Sequence, residues 1–333
     1  MNHVWAVDSE FVESRYADRG IPPYRKKVNS QSFLNDHTIQ KEKPQDTYRV
    51  AYLGDSFVEG TCEIADAVPS IVEKNLKVPG KNSVEVINTG TSSYANTIYY
   101  LLFKTKLLEL KPDLVVVNVD MTDVFDDSIY RATLSFDDGG DVVACAPGHP
   151  AMATHRRTER GLEEMTTLQR AVMFSYRHSL LAQLVVDMIG QVVRKRGISK
   201  AQGVTQAFAW CGDKRSPRTQ ADVDWSLGML RRLIKLAKAN GICVVVTAVP
   251  HLEQLQGKWS TQPMSDVEAI ATSEGVPFFN TIDDFKKRLG TTPPEEIYIP
   301  ADMHFNPKGY RMWAEIQLEH LNRIAPWNGA CGR

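Results

Sequence analysis

Val50-Ala51-Tyr52-Leu53-Gly54-Asp55-Ser56 (VAYLGDS, residues 50–56) runs four apolar residues into a glycine, an acid and a serine. A short apolar run that stops at a turn reads as a strand buried on both faces, because a half-exposed strand would alternate polar and apolar residues. Outward from it the pattern repeats at Val84 to Ile87, Leu114 to Val117, Ile242 to Val249 and Val276 to Phe279. Helix-compatible stretches lie between these runs. Ile98 to Leu110 carries apolar residues at three-and-four spacing, and Asp224 to Asn240 reads as a helix that Gly241 stops. Strands alternating with helices imply right-handed crossovers and a parallel sheet, so the predicted fold class is α/β, a three-layer α/β/α sandwich on five parallel strands.

Two regions fall outside this rhythm. Residues 1–48 are polar and broken by Pro22-Pro23, Asn29 to Ser32 and Lys41 to Pro44, which predicts a mostly irregular segment wrapping the domain formed by 49–333. Residues 124–220, between the third and fourth strands, fit no strand pattern and are expected to form a helical and loop-like insertion over the sheet's working edge. Inside it, Leu180 to Val193 is apolar but interrupted by Gln183, Asp187 and Gln191. It reads as a helix packed on the core or as a wall for an acyl chain, and it is too short and polar to span a bilayer.

The 333 residues, 43% hydrophobic and 24% charged, can bury a substantial core. A net charge of −1, from 39 basic and 40 acidic residues, gives no field favouring nucleic acid or an anionic membrane. Cys62, Cys145, Cys211, Cys243 and Cys331 are scattered without the paired spacing of a zinc or redox site, and they read as free thiols in a reducing compartment. The start carries acids where a secretory signal would be apolar, and no run reaches the length of a membrane span, so the sequence as it stands reads as cytoplasmic. An anchor preceding residue 1 would leave the same residues.

Chemistry enters at the strand ends. Ser56 follows the first strand, where an open parallel sheet exposes its ligand side and the amides of the next helix face a developing oxyanion; equally, Ser56 suits a helix cap. Near the C-terminus stands Asp302-Met303-His304, followed by Asn306 as an N-cap and Pro307 as a first helical residue. In an extended loop, residues two apart project to one side, which would bring the Asp302 carboxylate to the His304 ring. Such a pair fixes the imidazole tautomer and leaves the far nitrogen free to take a serine proton. A surface loop with an incidental histidine is the alternative.

Together, Val50 to Gly60 (VAYLGDSFVEG) and Ile299 to Tyr310 (IPADMHFNPKGY) resemble the first and last blocks of the SGNH or GDSL hydrolases. The resemblance implies a strand order of 2-1-3-4-5, Ser56 as nucleophile, His304 as base and Asp302 as its orienter. It implies oxyanion donors at the amides of Ser56 and of Gly90, the latter in Val86-Ile87-Asn88-Thr89-Gly90. In the third block Asp120-Met121-Thr122-Asp123 stands where the family has Gly-x-Asn-Asp, so Thr122 replaces the donating asparagine and Asn118 is the alternative donor.

The function implied is a serine esterase cleaving a small, acetyl-like acyl ester, such as one on a carbohydrate. An O-acyltransferase acting on a sugar hydroxyl would use the same residues, and loss of activity at Thr122 would leave a binding protein. His149, His155, His178 and His251 show no metal-ligand spacing, and no cofactor is implied. His251, after Pro250, reads as a residue lining the pocket or as a solvent-facing loop residue.

Overall fold

In the computed structural model of the chain, residues 7–14, 16–146 and 206–328 are described. The polar start forms a short antiparallel hairpin, β1 (Glu10–Glu13) and β2 (Tyr24–Lys27). Then come β3 (Thr47–Leu53), α1 (Ser56–Glu59), α2 (Val68–Asn75), β4 (Ser83–Asn88), α3 (Asn96–Leu102), β5 (Leu114–Val119) and α4 (Asp123–Tyr130). A second hairpin, β6 (Leu134–Phe136) and β7 (Val142–Cys145), follows. The remainder holds α5 (Pro217–Ala239), β8 (Cys243–Ala248), α6 (Leu252–Leu255), α7 (Gln262–Ser273), β9 (Phe278–Asn280), α8 (Ile282–Leu289) and α9 (Pro307–Ile324).

The central sheet has five strands in the order β4-β3-β5-β8-β9, all pairs parallel. Numbered by their appearance in the sheet this is 2-1-3-4-5, as the resemblance implies. Every residue of β3 and β5 is buried, which is why Val50 to Leu53 and Leu114 to Val117 read as continuous apolar runs. Helices α2, α8 and α9 pack together on one side, and α3, α5 and α7 supply the other layer. The stretch from Ile98 to Leu110 does not remain one α-helix: α3 ends at Leu102 and widens into a π-helical turn over Phe103–Leu107 and then a 3-10 turn.

Three segments depart from the sequence expectations. Residues 7–48 are less irregular than expected, because β1 and β2 pair there and Asn35 then covers the edge of β4, giving its amide to Val86 O (2.7 Å) and accepting from Asn88 N (3.0 Å). That cover satisfies an edge strand that would otherwise present open backbone groups. The described part of 124–220 contains a hairpin where none was expected, since strands of three and four residues with an exposed face are too short to show alternation. Helix α5 begins seven residues before Asp224, at Pro217, with Ser216 accepting from Thr219 N (3.0 Å) as its cap. Leu180 to Val193, with His149, His155 and His178, lies outside the described residues, as does Cys331; Cys62, Cys145, Cys211 and Cys243 are free thiols. Among the described residues no helix is long and apolar enough to cross a membrane.

Candidate active site

Gly54 lets the chain turn sharply from β3 into α1, since a Cβ there would lie 2.2 Å from Val58 Cγ2. The Asp55 carboxylate caps the turn, accepting from Phe57 N at 3.0 Å, and Ser56 becomes the first residue of α1. The serine therefore stands at the carboxyl end of the sheet's second strand in space, part-exposed above a buried helix. Its backbone N–H has no hydrogen-bond partner among the described residues, as the geometry of a helix start dictates.

Asp302 and His304 sit on a tight turn rather than on the extended loop expected. Ile299 N donates to His304 O (2.9 Å), Asp302 N donates to Ile299 O (3.0 Å), and Ala301 occupies the left-handed region at φ 56°. The turn folds the Asp302 carboxylate back so that Oδ1 accepts from both the His304 amide (3.1 Å) and ring Nδ1 (2.5 Å). With Nδ1 donating to the carboxylate, Nε2 is the accepting nitrogen, and it lies 2.7 Å from Ser56 Oγ. Burial alone would raise the Asp302 carboxyl, but the hydrogen bonds and charge of His304, with Arg19 beyond them, hold it at about 2. Ser56, His304 and Asp302 thus form one hydrogen-bonded chain, with His304 only 9% exposed.

Two of the other anticipated donors, Gly90 and Thr122, are engaged within the protein. Gly90 packs so closely on α1 that a Cβ would meet Glu59 N at 2.1 Å, and its N–H donates to Asn88 Oδ1 at 2.9 Å. Thr122 donates its amide (2.9 Å) and its hydroxyl (2.6 Å) to Asp120 Oδ2. Asn118 lies on β5 in register with Thr247, fully buried, and neither polar atom of its side chain has a hydrogen-bond partner among the described residues.

Beneath the serine, Asp55, Asp120 and Asp123 bring carboxylate oxygens within 4.8 Å of one another. Five of the six oxygens accept from the protein, Phe57 N for Asp55, His251 and Thr122 for Asp120, Tyr99 and the Asp120 amide for Asp123, and the sixth, Asp55 Oδ2, lies 3.2 Å from Ser56 Oγ. That is the pattern of a hydrogen-bonded buried cluster rather than of a prepared cation cage. Burial, and then mutual repulsion, push the Asp55 and Asp123 carboxyls well up. Asp120 would follow, but the charge and hydrogen bond of His251 and the bonds from Thr122 hold it at about 2.

Several participants were not legible in the sequence. His251 is neither on the solvent nor on an open pocket wall: it is fully buried, and its Nε2 lies 2.6 Å from Asp120 Oδ1. Tyr16 places its hydroxyl 3.4 Å from His304 Nδ1, and Arg19 reaches Asp302 Oδ2 at 3.3 Å. Both come from the polar start of the chain, and no periodicity or motif there marks them.

No family model matches the sequence, and no curated protein matches it. Among solved structures the chain is similar to an acetylxylan esterase from Geobacillus stearothermophilus (13% identity, 82% of this chain and 94% of that one, TM-score 0.45). It is similar also to a lipase/acylhydrolase from Enterococcus faecalis (12% identity, 82% and 95%, TM-score 0.42). A third likeness is to a putative acylhydrolase from Bacteroides fragilis (13% identity, 86% and 91%, TM-score 0.42). The sheet order β4-β3-β5-β8-β9, with helices on both faces, is the order that the resemblance of the end blocks to the SGNH or GDSL hydrolases implies.

Proposed function

We propose that the protein is a serine esterase that hydrolyses a small, acetyl-like acyl ester through an acyl-enzyme on Ser56. The observation that carries this is the continuous chain from Ser56 Oγ to His304 Nε2 (2.7 Å) and from His304 Nδ1 to Asp302 Oδ1 (2.5 Å). Ser56 Oγ attacks the ester carbonyl and its proton passes to His304 Nε2, while Asp302 stabilises the imidazolium. The imidazolium then gives that proton to the departing alcohol. Water, deprotonated in turn by His304, attacks the acyl-serine, and the acid leaves with Ser56 restored.

The Ser56 amide is the first oxyanion donor, unpaired and fixed at a helix start. Gly90 serves as the second by sharing its N–H between Asn88 and the oxyanion. Thr122 could contribute only by withdrawing its hydroxyl from Asp120, and Asn118 only by reaching out from the sheet beside Gly54. A sugar as the alcohol part follows from the resemblance of the two end blocks alone. The test is incubation with an O-acetylated oligosaccharide and, separately, with p-nitrophenyl acetate, following acetate release with and without an acceptor sugar. Acetate release by the parent and not by Ser56→Ala is expected. A mass gain on the acceptor in place of free acetate would replace hydrolysis by transfer, and no turnover of either ester would defeat the reading.

A further inference from the structure

The turn that carries Asp302 is not self-sufficient. Ala301 takes a left-handed backbone that a residue with a Cβ adopts at a cost, and the carbonyls of Pro300 and Ala301 project from it. Against this turn lies a second one, from the start of the chain. Residues Ala17–Arg19 form a 3-10 turn closed by Gly20 at φ 80°, with Ile21 N returning to Tyr16 O at 3.2 Å. Tyr16, Ile21 and Tyr24 bury themselves on Ile299, the residue at the base of the catalytic turn, as a small apolar cluster of their own. The base of this arm is fixed by Lys26, which pairs with Glu59 of α1 beneath the surface. From that footing one nitrogen of Arg19 reaches Ala301 O (3.0 Å), Pro300 O (3.5 Å) and Asp302 Oδ2 (3.3 Å), while Asp302 Oδ1 is left to His304.

We propose that Arg19 is a positioning residue for the triad, clamping the turn over residues 300–302 so that Asp302 presents one oxygen to His304 and holds its ring toward Ser56. The inference rests on the esterase reading and extends it, since it makes the polar start of the chain part of the active site. The Arg19 guanidinium reaches Pro300, Ala301 and Asp302 and makes no hydrogen bond to Ser56 among the described residues. Its effect passes through Asp302, so it acts on turnover and on the proton affinity of the imidazole. The charged and titratable groups around that imidazole are Asp302 and Arg19, Tyr16 of the arm, Asp55 beside Ser56, and His251 across the Phe57 ring. Removing the arginine deletes the cation of this set nearest the carboxylate, which favours the protonated imidazole.

The experiment compares Arg19→Gln and Arg19→Lys with the parent in full-length protein. For Arg19→Gln, kcat should fall roughly five- to twentyfold with KM changed less than about twofold, the mark of lost orientation rather than lost binding. The acid limb of its kcat/KM profile should move to higher pH, and Arg19→Lys should return that limb while recovering only part of kcat. A nuclear magnetic resonance titration of the His304 ring reads the same shift without substrate, so it answers even if no ester proves to be turned over. An unmoved ring titration with kcat within twofold of the parent would overturn the proposal. So would a loss of kcat that follows a fall in Tm while both the ring titration and the pH limb stay in place, since Arg19 would then only brace the fold.

Discussion

Two carboxylate–imidazole pairs flank the ring of Phe57, His304 with its centroid 5.2 Å away and His251 5.5 Å away. Their inner halves are nearly the same: 2.5 Å from His304 to Asp302, 2.6 Å from His251 to Asp120, and both carboxyls held at about 2. They differ at the far nitrogen. That of His304 meets Ser56 Oγ at 2.7 Å, whereas that of His251 has no hydrogen-bond partner among the described residues and lies wholly buried. A carboxylate can orient and charge-balance an imidazole anywhere in a protein. An imidazole serves as a base only where its second nitrogen faces a group with a proton to give, here the Ser56 hydroxyl.

The sharpest break of this comparison is to remove each histidine in turn. His304→Ala should lower kcat/KM on p-nitrophenyl acetate by about a thousandfold or more, with Ser56→Ala matching it and escaping fluorophosphonate labelling. Near-parental activity in His304→Ala would mean that the hydrogen-bonded chain is not the catalytic one. His251→Ala should instead act on stability, costing on the order of 3 kcal/mol in chemical denaturation because it strands the buried Asp120 carboxylate. Its turnover per folded molecule should stay within about tenfold of the parent, as it touches no reacting group. If turnover collapsed while stability held, the buried pair would have to be read as part of the chemistry.

The acids around the two pairs give a pH signature. Burial pushes the Asp127 carboxyl up to about 7 despite hydrogen bonds from Ser226 and Thr97. The unfolded chain would release that proton near pH 4, so this group's contribution is present at low pH and is lost as pH rises from about 4 to about 7. Asp127→Asn should therefore raise stability at pH 8 by about 4 kcal/mol relative to its effect at pH 4, read from denaturation at both. Asp302 and Asp120 have the opposite sign: each, held at about 2, contributes stability above pH 4 that is lost as pH falls toward 2. The ester-cleaving activity should rise with pH on its acid side, since His304 must be neutral to take the serine proton.

The smallest effect is expected at Thr122. Because its hydroxyl is donated to Asp120, Thr122→Val should cost about 1 kcal/mol of stability and change kcat less than about threefold. A fall beyond tenfold without unfolding would make its hydroxyl an oxyanion donor during turnover and detach it from the His251 side of the comparison.

The two pairs also separate what could be read from the chain from what could not. Asp302 and His304 are two residues apart, and the asparagine and proline that start α9 mark where their turn must end, so the pair was visible from sequence alone. Its shape was not, because the left-handed Ala301 has no side-chain signature. Asp120 and His251 are 131 residues apart, and nothing in either neighbourhood points to the other. The start of α5 had a signal in Ser216-Pro217 that its polar, exposed first turns concealed. The β6–β7 hairpin offered none, since one face of it is open to solvent over only a few residues.

By itself the sequence determined the elements whose physics is local: continuous apolar runs that must be buried on both faces, a glycine, acid and serine at the end of one of them, and a capped helix after an Asp-x-His turn. Tertiary structure alone decided the partners that depend on distant chain segments meeting. Parallel strands β3, β5 and β8 bring Asp55, Asp120 and His251 to one end of the sheet, and the apolar packing of Tyr16, Ile21 and Tyr24 on Ile299 brings Arg19 to Asp302. Strand pairing and burial fix these encounters through the whole core, so no local stretch of sequence carries them.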